Sequence, residues 1–199
     1  MFSGKIEDYI LFEDKEIIVC RKPAGIAVQN ARIGAMDLES SLKNYLAMQD
    51  GGGRRIPYLA VIHRLDQPVE GILVFGKTPE AAKSLSAQIT AGKMEKIYLA
   101  VTYGKQAEAG KKEKVLEDYL KKDGKSNTSS VVNAHTPGAK KARLSYEVLG
   151  EAVDAISGKK KWLLRIHLDT GRHHQIRVQM AHAGMPLAGD RKYGAGTNV

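Results

Sequence analysis

Hydrophobic and polar positions change their period several times along the chain, and each change marks an element. Between Ile10 and Val28 short apolar runs are broken by Lys22-Pro23-Ala24-Gly25, which predicts a strand pair turning there. Proline fixes one dihedral, and glycine admits the positive one that a tight turn needs. From Met36 to Met48 the period becomes helical, with Leu38, Leu42, Tyr45 and Leu46 on one side, Asp37 as N-cap and glycines from Gly51 as the stop. Leu59 to Ile62 and Ile72 to Phe75 read as buried strands on either side of a polar loop. Thr78-Pro79-Glu80 then combines a capping hydroxyl, a proline at the first helical position and an acid in the first turn. Ala82, Leu85 and Ile89 supply that helix with its stripe, and Gly92 ends it.

From Lys96 to Tyr103 the pattern alternates, placing Ile97, Leu99, Val101 and Tyr103 on an apolar face and Lys96, Tyr98, Ala100 and Thr102 on the other. Tyr98 is thus expected off the packed face, free to meet a ligand. Lys105 to Lys141 is rich in lysine around the polar run Gly124 to Ser130, and predicts short strands and hairpin loops with mobile tips. Two further alternating runs follow, Arg143 to Leu149 and Lys161 to Asp169, the second with Trp162, Leu164, Ile166 and Leu168 on one face. Thr170-Gly171-Arg172 predicts a turn into a helix from His173 to Ala183, closed by Gly184 and Pro186. Many antiparallel-type strands with few helices between them point to α+β, a single domain over residues 1–199 with a mixed, mainly antiparallel central sheet and flanking helices.

Composition narrows the class. A chain of 199 residues can bury a real core, and 43% hydrophobic residues exclude a disordered basic tail. Lys plus Arg exceed Asp plus Glu by 31 to 22, and the surplus of +9 favours a polyanionic partner. The single cysteine, Cys20, has no partner for an internal disulfide, and its apolar surroundings predict a buried, inert thiol in a reducing compartment. No apolar segment approaches the roughly 20 residues of a membrane helix, and no signal-peptide pattern opens the chain, so a cytoplasmic location is expected.

Chemistry concentrates in two places. In His63-Arg64-Leu65-Asp66 an acid sits between two strand-like runs, where it serves equally as a turn residue or as a reactive carboxylate. Arg64 is a poor turn former and a good phosphate or carboxylate clamp, yet the residues by themselves leave both readings open. Arg54-Arg55 just upstream is a solvated charge pair or a phosphate contact. The second place is Thr170 to Arg177. His173, His174, His182 and Asp190 suggest a metal site, but no two of those histidines have the four-residue spacing that aligns imidazoles on a helix, and no cysteine assists. A polar, cationic helix terminus facing nucleic acid is the better reading.

Five blocks in order resemble RluA-type pseudouridine synthases, which isomerise uridine in RNA: Lys22-Pro23-Ala24-Gly25; His63-Arg64-Leu65-Asp66 with Gly71-Ile72-Leu73-Val74; Lys96-Ile97-Tyr98-Leu99-Ala100; Thr170 to Arg177; and Gly184 to Gly194. The resemblance implies that Asp66 is the catalytic residue, as nucleophile at the ribose or as base towards it. It also implies Tyr98 as the aromatic of the active site and Arg177 in an ion pair with the catalytic aspartate. His63, Arg64, Arg172, His174 and Gln175 are expected to bind substrate, with Arg64 placed to fill the space left by a flipped base. No cofactor or metal is expected. The partner is RNA, ribosomal or transfer, with no obligate protein partner and a monomeric chain. Val69-Glu70 stands where such proteins have Thr-Ser, and Gln179 where they have His. Such proteins also continue beyond the Tyr193-Gly194 block, so a shortened C-terminal end with an exposed edge or unfilled apolar surface is expected, without the additional N-terminal RNA-binding module of many relatives. The alternatives are a non-catalytic RNA-binding protein of the same fold, and a glycoside hydrolase, for which Glu70 is the only nearby second carboxylate.

Overall fold

The computed structural model describes residues 2–30, 36–51, 56–104, 113–155 and 157–194. Arg54-Arg55 and part of the lysine-rich stretch, 105–112, lie outside them. The chain divides into two compact units, Met1–Lys93 and Met94–Val199. The α+β class holds, with the antiparallel strands gathered into two sheets.

The first unit contains β1 (Ile10–Glu13), β2 (Ile17–Lys22), α1 (Leu38–Gln49), β3 (Ala60–Val61), β4 (Gly71–Gly76) and α2 (Pro79–Thr90), with sheet order β1-β2-β4-β3. Both helices start where expected: Asp37 Oδ1 accepts the Ser40 N–H at 2.7 Å, and Thr78 Oγ1 accepts that of Ala81 at 3.1 Å. The β1–β2 turn lies at Asp14, upstream of the expected Lys22–Gly25 turn, because the Asp14 carboxylate takes the N–H groups of Glu16 and Ile17 and closes the chain locally. Leu38, Leu42 and Leu46 of α1 pack with Ile18, Cys20, Leu73 and Phe75 of the sheet. Cys20 is inert as expected, since burial pushes its thiol up to about 12.

The inward positions of β2 are Ile18, Cys20 and Lys22, so the alternation that buries two apolar side chains also buries a lysine completely. Its ammonium is satisfied by three carbonyls, donating to those of Ile26 at 2.7 Å, Pro23 at 2.9 Å and Gln67 at 3.0 Å. Burial lowers the Lys22 pKa below its ordinary 10.5, and the Asp66 and Glu70 carboxylates oppose that shift.

The second unit contains β5 (Ile97–Tyr103), β6 (Lys114–Asp123), β7 (Thr128–Val132), β8 (Lys140–Val153), β9 (Lys160–Leu168) and α3 (Gln175–His182), in the order β5-β9-β8-β6-β7. Ten-residue β6 and fourteen-residue β8 replace the short strands expected here. Exposed Lys121 and Lys141 alternate with inward Leu120 and Ala142, so part of the charge that reads as loop is the solvent side of long strands. Trp162, Leu164, Ile166 and Leu168 are buried as expected, together with Met180 and Met185. On the first part of β5 the expectation is reversed: Ile97 and Leu99 are 55% and 67% exposed, while Tyr98 and Ala100 are half-buried and pack against the core. Tyr98 and Ala100 share a cluster with Ile176 and Met180 of α3 and with Met185 and Leu187 after it, which makes theirs the packed face.

Asp190 ties the segment after α3 back to that helix. Its carboxylate takes Arg177 Nε and Nη2 at 2.8 and 2.7 Å and the N–H groups of Lys192 and Tyr193 at 2.9 and 3.2 Å. Burial acts to raise its pKa, and the Arg177 hydrogen bond with the two N–H groups outweighs burial, so it lies below the ordinary 3.8.

Two stability measurements follow from these buried charges. Lys22→Met removes a donor shared by three carbonyls, of which that of Gln67 keeps the Gly25 N–H, and is expected to cost about 3 kcal/mol in urea unfolding; an unchanged midpoint refutes that role. Asp190 has a depressed folded pKa, so its stabilisation is present above the unfolded value and is lost as pH falls through the folded one. The stability of the parent is therefore expected to drop as pH falls below about 4, and Asp190→Asn to be weaker at neutral pH with a flatter acid profile.

Candidate active site

In the first unit the loop between β3 and β4 carries the motif residues, and local packing decides where each one points. Leu65 is partly buried and packs against the core of the unit. A Cβ at Gly71 would come within 2.9 Å of Leu65 Cδ1, so a side chain there would require the leucine to shift. Arg64 is exposed, while His63 and Asp66 are partly buried. His63 Nε2 accepts the Val74 N–H at 3.3 Å, which places any proton of a neutral ring on Nδ1. The Asp66 carbonyl accepts the Val69 N–H at 3.0 Å and closes the turn.

Two sequence blocks meet here. The Gln67 carbonyl takes both the Lys22 ammonium and the Gly25 N–H, and Gln67 Nε2 donates to the Gly25 carbonyl at 3.0 Å. Gly25 has φ +84°, in the left-handed region that glycine enters without strain. The Lys22–Gly25 block is thus a clamp on the loop that carries Asp66, and the Lys22 charge lies in the field of that carboxylate. Lys22 and Gln67 were not singled out as functional from the sequence. The available signal was a lysine at an inward position of a buried strand.

In the second unit the turn after β9 is built around Gln175, which is only 3% exposed. Its Oε1 accepts from Thr170 Oγ1 at 2.8 Å and from the Arg172 N–H at 2.9 Å, and its Nε2 donates to the Arg143 carbonyl at 3.0 Å. The side chain expected to touch substrate is engaged in bracing the turn. The Lys96 ammonium lies against this turn, 3.9 Å from where a Gly171 side chain would begin. Arg172 is exposed and anchored through Nε to the Lys141 carbonyl at 2.8 Å.

His174 begins α3 with φ +54°, a left-handed conformation uncommon for a residue with a side chain. It stacks on His173 at 3.7 Å between ring centroids, and its Nδ1 lies 2.8 Å from Tyr193 Oη. His173 Nδ1 and Nε2 are engaged with Ser129 Oγ at 2.9 Å and Asn127 Oδ1 at 3.1 Å. The Arg177 guanidinium sits 5.1 Å over the Tyr193 ring and holds Asp190 with two nitrogens. Asp190 and Tyr193, with no role assigned from sequence beyond the rejected metal reading, are thus the polar partners of Arg177 and His174. Among the described residues no group of three or more His, Cys, Asp or Glu side chains is placed to hold a metal ion. Gln179, the departure from the expected histidine, is fully buried and donates to Asp118 Oδ2 at 2.9 Å, joining α3 to β6.

Comparison with known proteins gives these motifs a common origin. A family model described as RNA pseudouridylate synthase matches residues 16–182. Ribosomal large subunit pseudouridine synthase D of Xylella fastidiosa is 33% identical over 192 residues, 93% of this chain and 51% of that protein. The tRNA pseudouridine synthase C of Haemophilus ducreyi is also 33% identical, covering 93% of this chain and 73% of the relative. The chain thus spans about half the length of several curated relatives it matches. Human RNA pseudouridylate synthase domain containing 4 and domain containing 1 share the fold, with TM-scores of 0.72 and 0.73 at 23% and 22% identity, covering 94% and 98% of this chain and 69% and 73% of theirs. With the family match running through the clamp, the Asp66 loop and α3, this chain belongs to the RNA pseudouridylate synthase family.

Proposed function

We propose that the chain isomerises uridine to pseudouridine in structured RNA, ribosomal or transfer, and that residues 1–199 act as one catalytic domain. The observation that carries this reading is the family match across residues 16–182, which contains both chemistry-bearing stretches. Relatives named for ribosomal and for transfer RNA support the substrate class, and the surplus of +9 suits a polyanion.

The reaction breaks the bond between the ribose and N1 of uracil, turns the base and rejoins it through C5. The product is an isomer, so no electron or group has to be supplied, and the target base must first leave its stack at a cost of a few kcal/mol. Asp66 is the carboxylate that acts at the ribose. Tyr98 stacks on the base and assists loss of the C5 proton, and Arg177 is required for the same reaction. His63, Arg64, Arg172 and His174 contact the RNA, Arg64 filling the space the base vacates, and Gln175 serves through the turn it braces.

The decisive test is single-turnover formation of pseudouridine with protein in excess, so that slow product release does not mask the chemistry. Asp66→Asn is expected to abolish turnover while RNA affinity changes little, because the lost group is an acid and contributes nothing to phosphate contacts. A folded, undeamidated Asp66→Asn protein retaining a tenth of the parent rate overturns the assignment. Tyr98→Phe keeps the stacking ring and is expected to lose about a hundredfold in rate through the missing hydroxyl. Arg177→Lys, which keeps charge without bidentate geometry, should be the milder change. Activity is expected to survive EDTA; loss reversed by zinc would restore the histidine-cluster reading.

A further inference from the structure

The second unit holds a cavity of about 250 Å³ between the start of α3 and the β6–β7–β8 strands, lined by Lys122, Lys140, Arg172, His173, Ser129 and Gly171 among others. Three cationic side chains line one small space, and no carboxylate is among its lining residues. Two neighbouring cations on β8 are neutralised: Lys141 and Arg143 pair with Glu117, and Arg143 also with Asp169. Among the described residues neither Lys122 nor Lys140 takes part in an ion pair. A second cavity of the unit, about 350 Å³, differs in kind, with Glu95, Glu113 and Glu147 in its wall.

The arrangement is held in place. Lys122 lies opposite Ser129 in the β6–β7 ladder, and Lys140 lies opposite Leu120 in the β6–β8 ladder. Arg172 is anchored through Nε to the Lys141 carbonyl, which leaves its two terminal nitrogens for a ligand. Ser129 Oγ and His173 add polar groups already oriented on each other at 2.9 Å. Gathering like charges without a counter-charge opposes folding, and an anion in the cavity removes that repulsion. The volume lies below the roughly 300–1,000 Å³ of a pocket for a drug-sized ligand, which favours a compact anionic group.

We propose that this cavity is a phosphodiester subsite, in which Lys122, Lys140 and Arg172 seat one backbone phosphate of the RNA away from the target base. The identity of the anion rests on RNA being the partner. Phosphate contacts of this kind position a nucleic acid without reading its sequence.

The test measures binding of a fluorescein-labelled RNA hairpin with a uridine in its loop, over a range of salt, to the parent and to Lys122→Gln/Lys140→Gln. Losing the contact to that one phosphate is expected to lower the slope of log K against log salt by about 0.8 and to weaken binding roughly fivefold at moderate salt. Lys122→Arg/Lys140→Arg is expected to keep the parent slope. Lys83→Gln/Lys93→Gln removes the same net charge from the first unit and is expected to leave slope and affinity unchanged. The subsite is overturned if the Lys122/Lys140 pair keeps the parent slope, or if both Gln pairs lose affinity equally, since net charge alone then explains the effect. Inorganic phosphate added at constant ionic strength is expected to compete poorly; strong displacement of RNA overturns the phosphodiester assignment in favour of a free-phosphate site. Pseudouridine formation by the parent is scored separately: its absence, with the slopes as expected, removes the proposed activity and leaves the subsite standing.

Discussion

A lysine with no exposed surface cannot stay ionised unless the chain turns carbonyls onto it, and that requirement organises the first unit. Lys22 ends β2, and its ammonium gathers the carbonyls of Pro23, Ile26 and Gln67. Two of these come from the turn that follows the strand and one from the loop that carries Asp66. The loop conformation is thus coupled to burial of β2, which is driven by the same apolar core that holds α1. The cost of burying the charge is offset by three strong hydrogen bonds and by the carboxylates nearby.

The second unit uses a related device in another chemistry. Asp190 is a nearly buried carboxylate, satisfied by a bidentate guanidinium and two backbone donors, and it fastens the chain after α3 to Arg177. Tyr193 follows within the same turn and connects Arg177 to His174. A cation held this way has its orientation set before any ligand arrives, which is the usual means by which a site avoids reorganising during reaction. Gln175 gives its turn the same rigidity with neutral hydrogen bonds.

What was legible in the sequence was local. Asp37 and Thr78 start helices because a short side-chain acceptor meets exposed N–H groups whatever the rest of the protein does. The alternation from Trp162 to Leu168 predicted a half-buried strand, since period two is a property of the extended backbone itself. The family blocks were legible for a similar reason: short contiguous motifs survive in a linear reading. They identified Asp66, Tyr98 and Arg177 as residues of interest.

Tertiary structure decided the matters that need two distant segments at once. The alternation of β5 shows that its two faces differ and does not say which is inside; α3 and Met185 settled that in favour of Tyr98. The lysines around β6 and β8 read as loop because charge suggests solvent, and only pairing across a five-stranded sheet makes them part of long strands, Lys121 and Lys141 on the outer side. Lys22 looked like part of a turn until β4 and the Gln67 loop closed around it. Asp190 acquired its role from a guanidinium thirteen residues away in sequence, through a hydrogen-bond geometry that no residue pattern encodes. The sequence by itself determined periodicity, caps and family, because these depend on neighbours along the chain. Which charges are buried, and on what partners, was decided by packing alone, because the energy of a charge depends on everything that surrounds it.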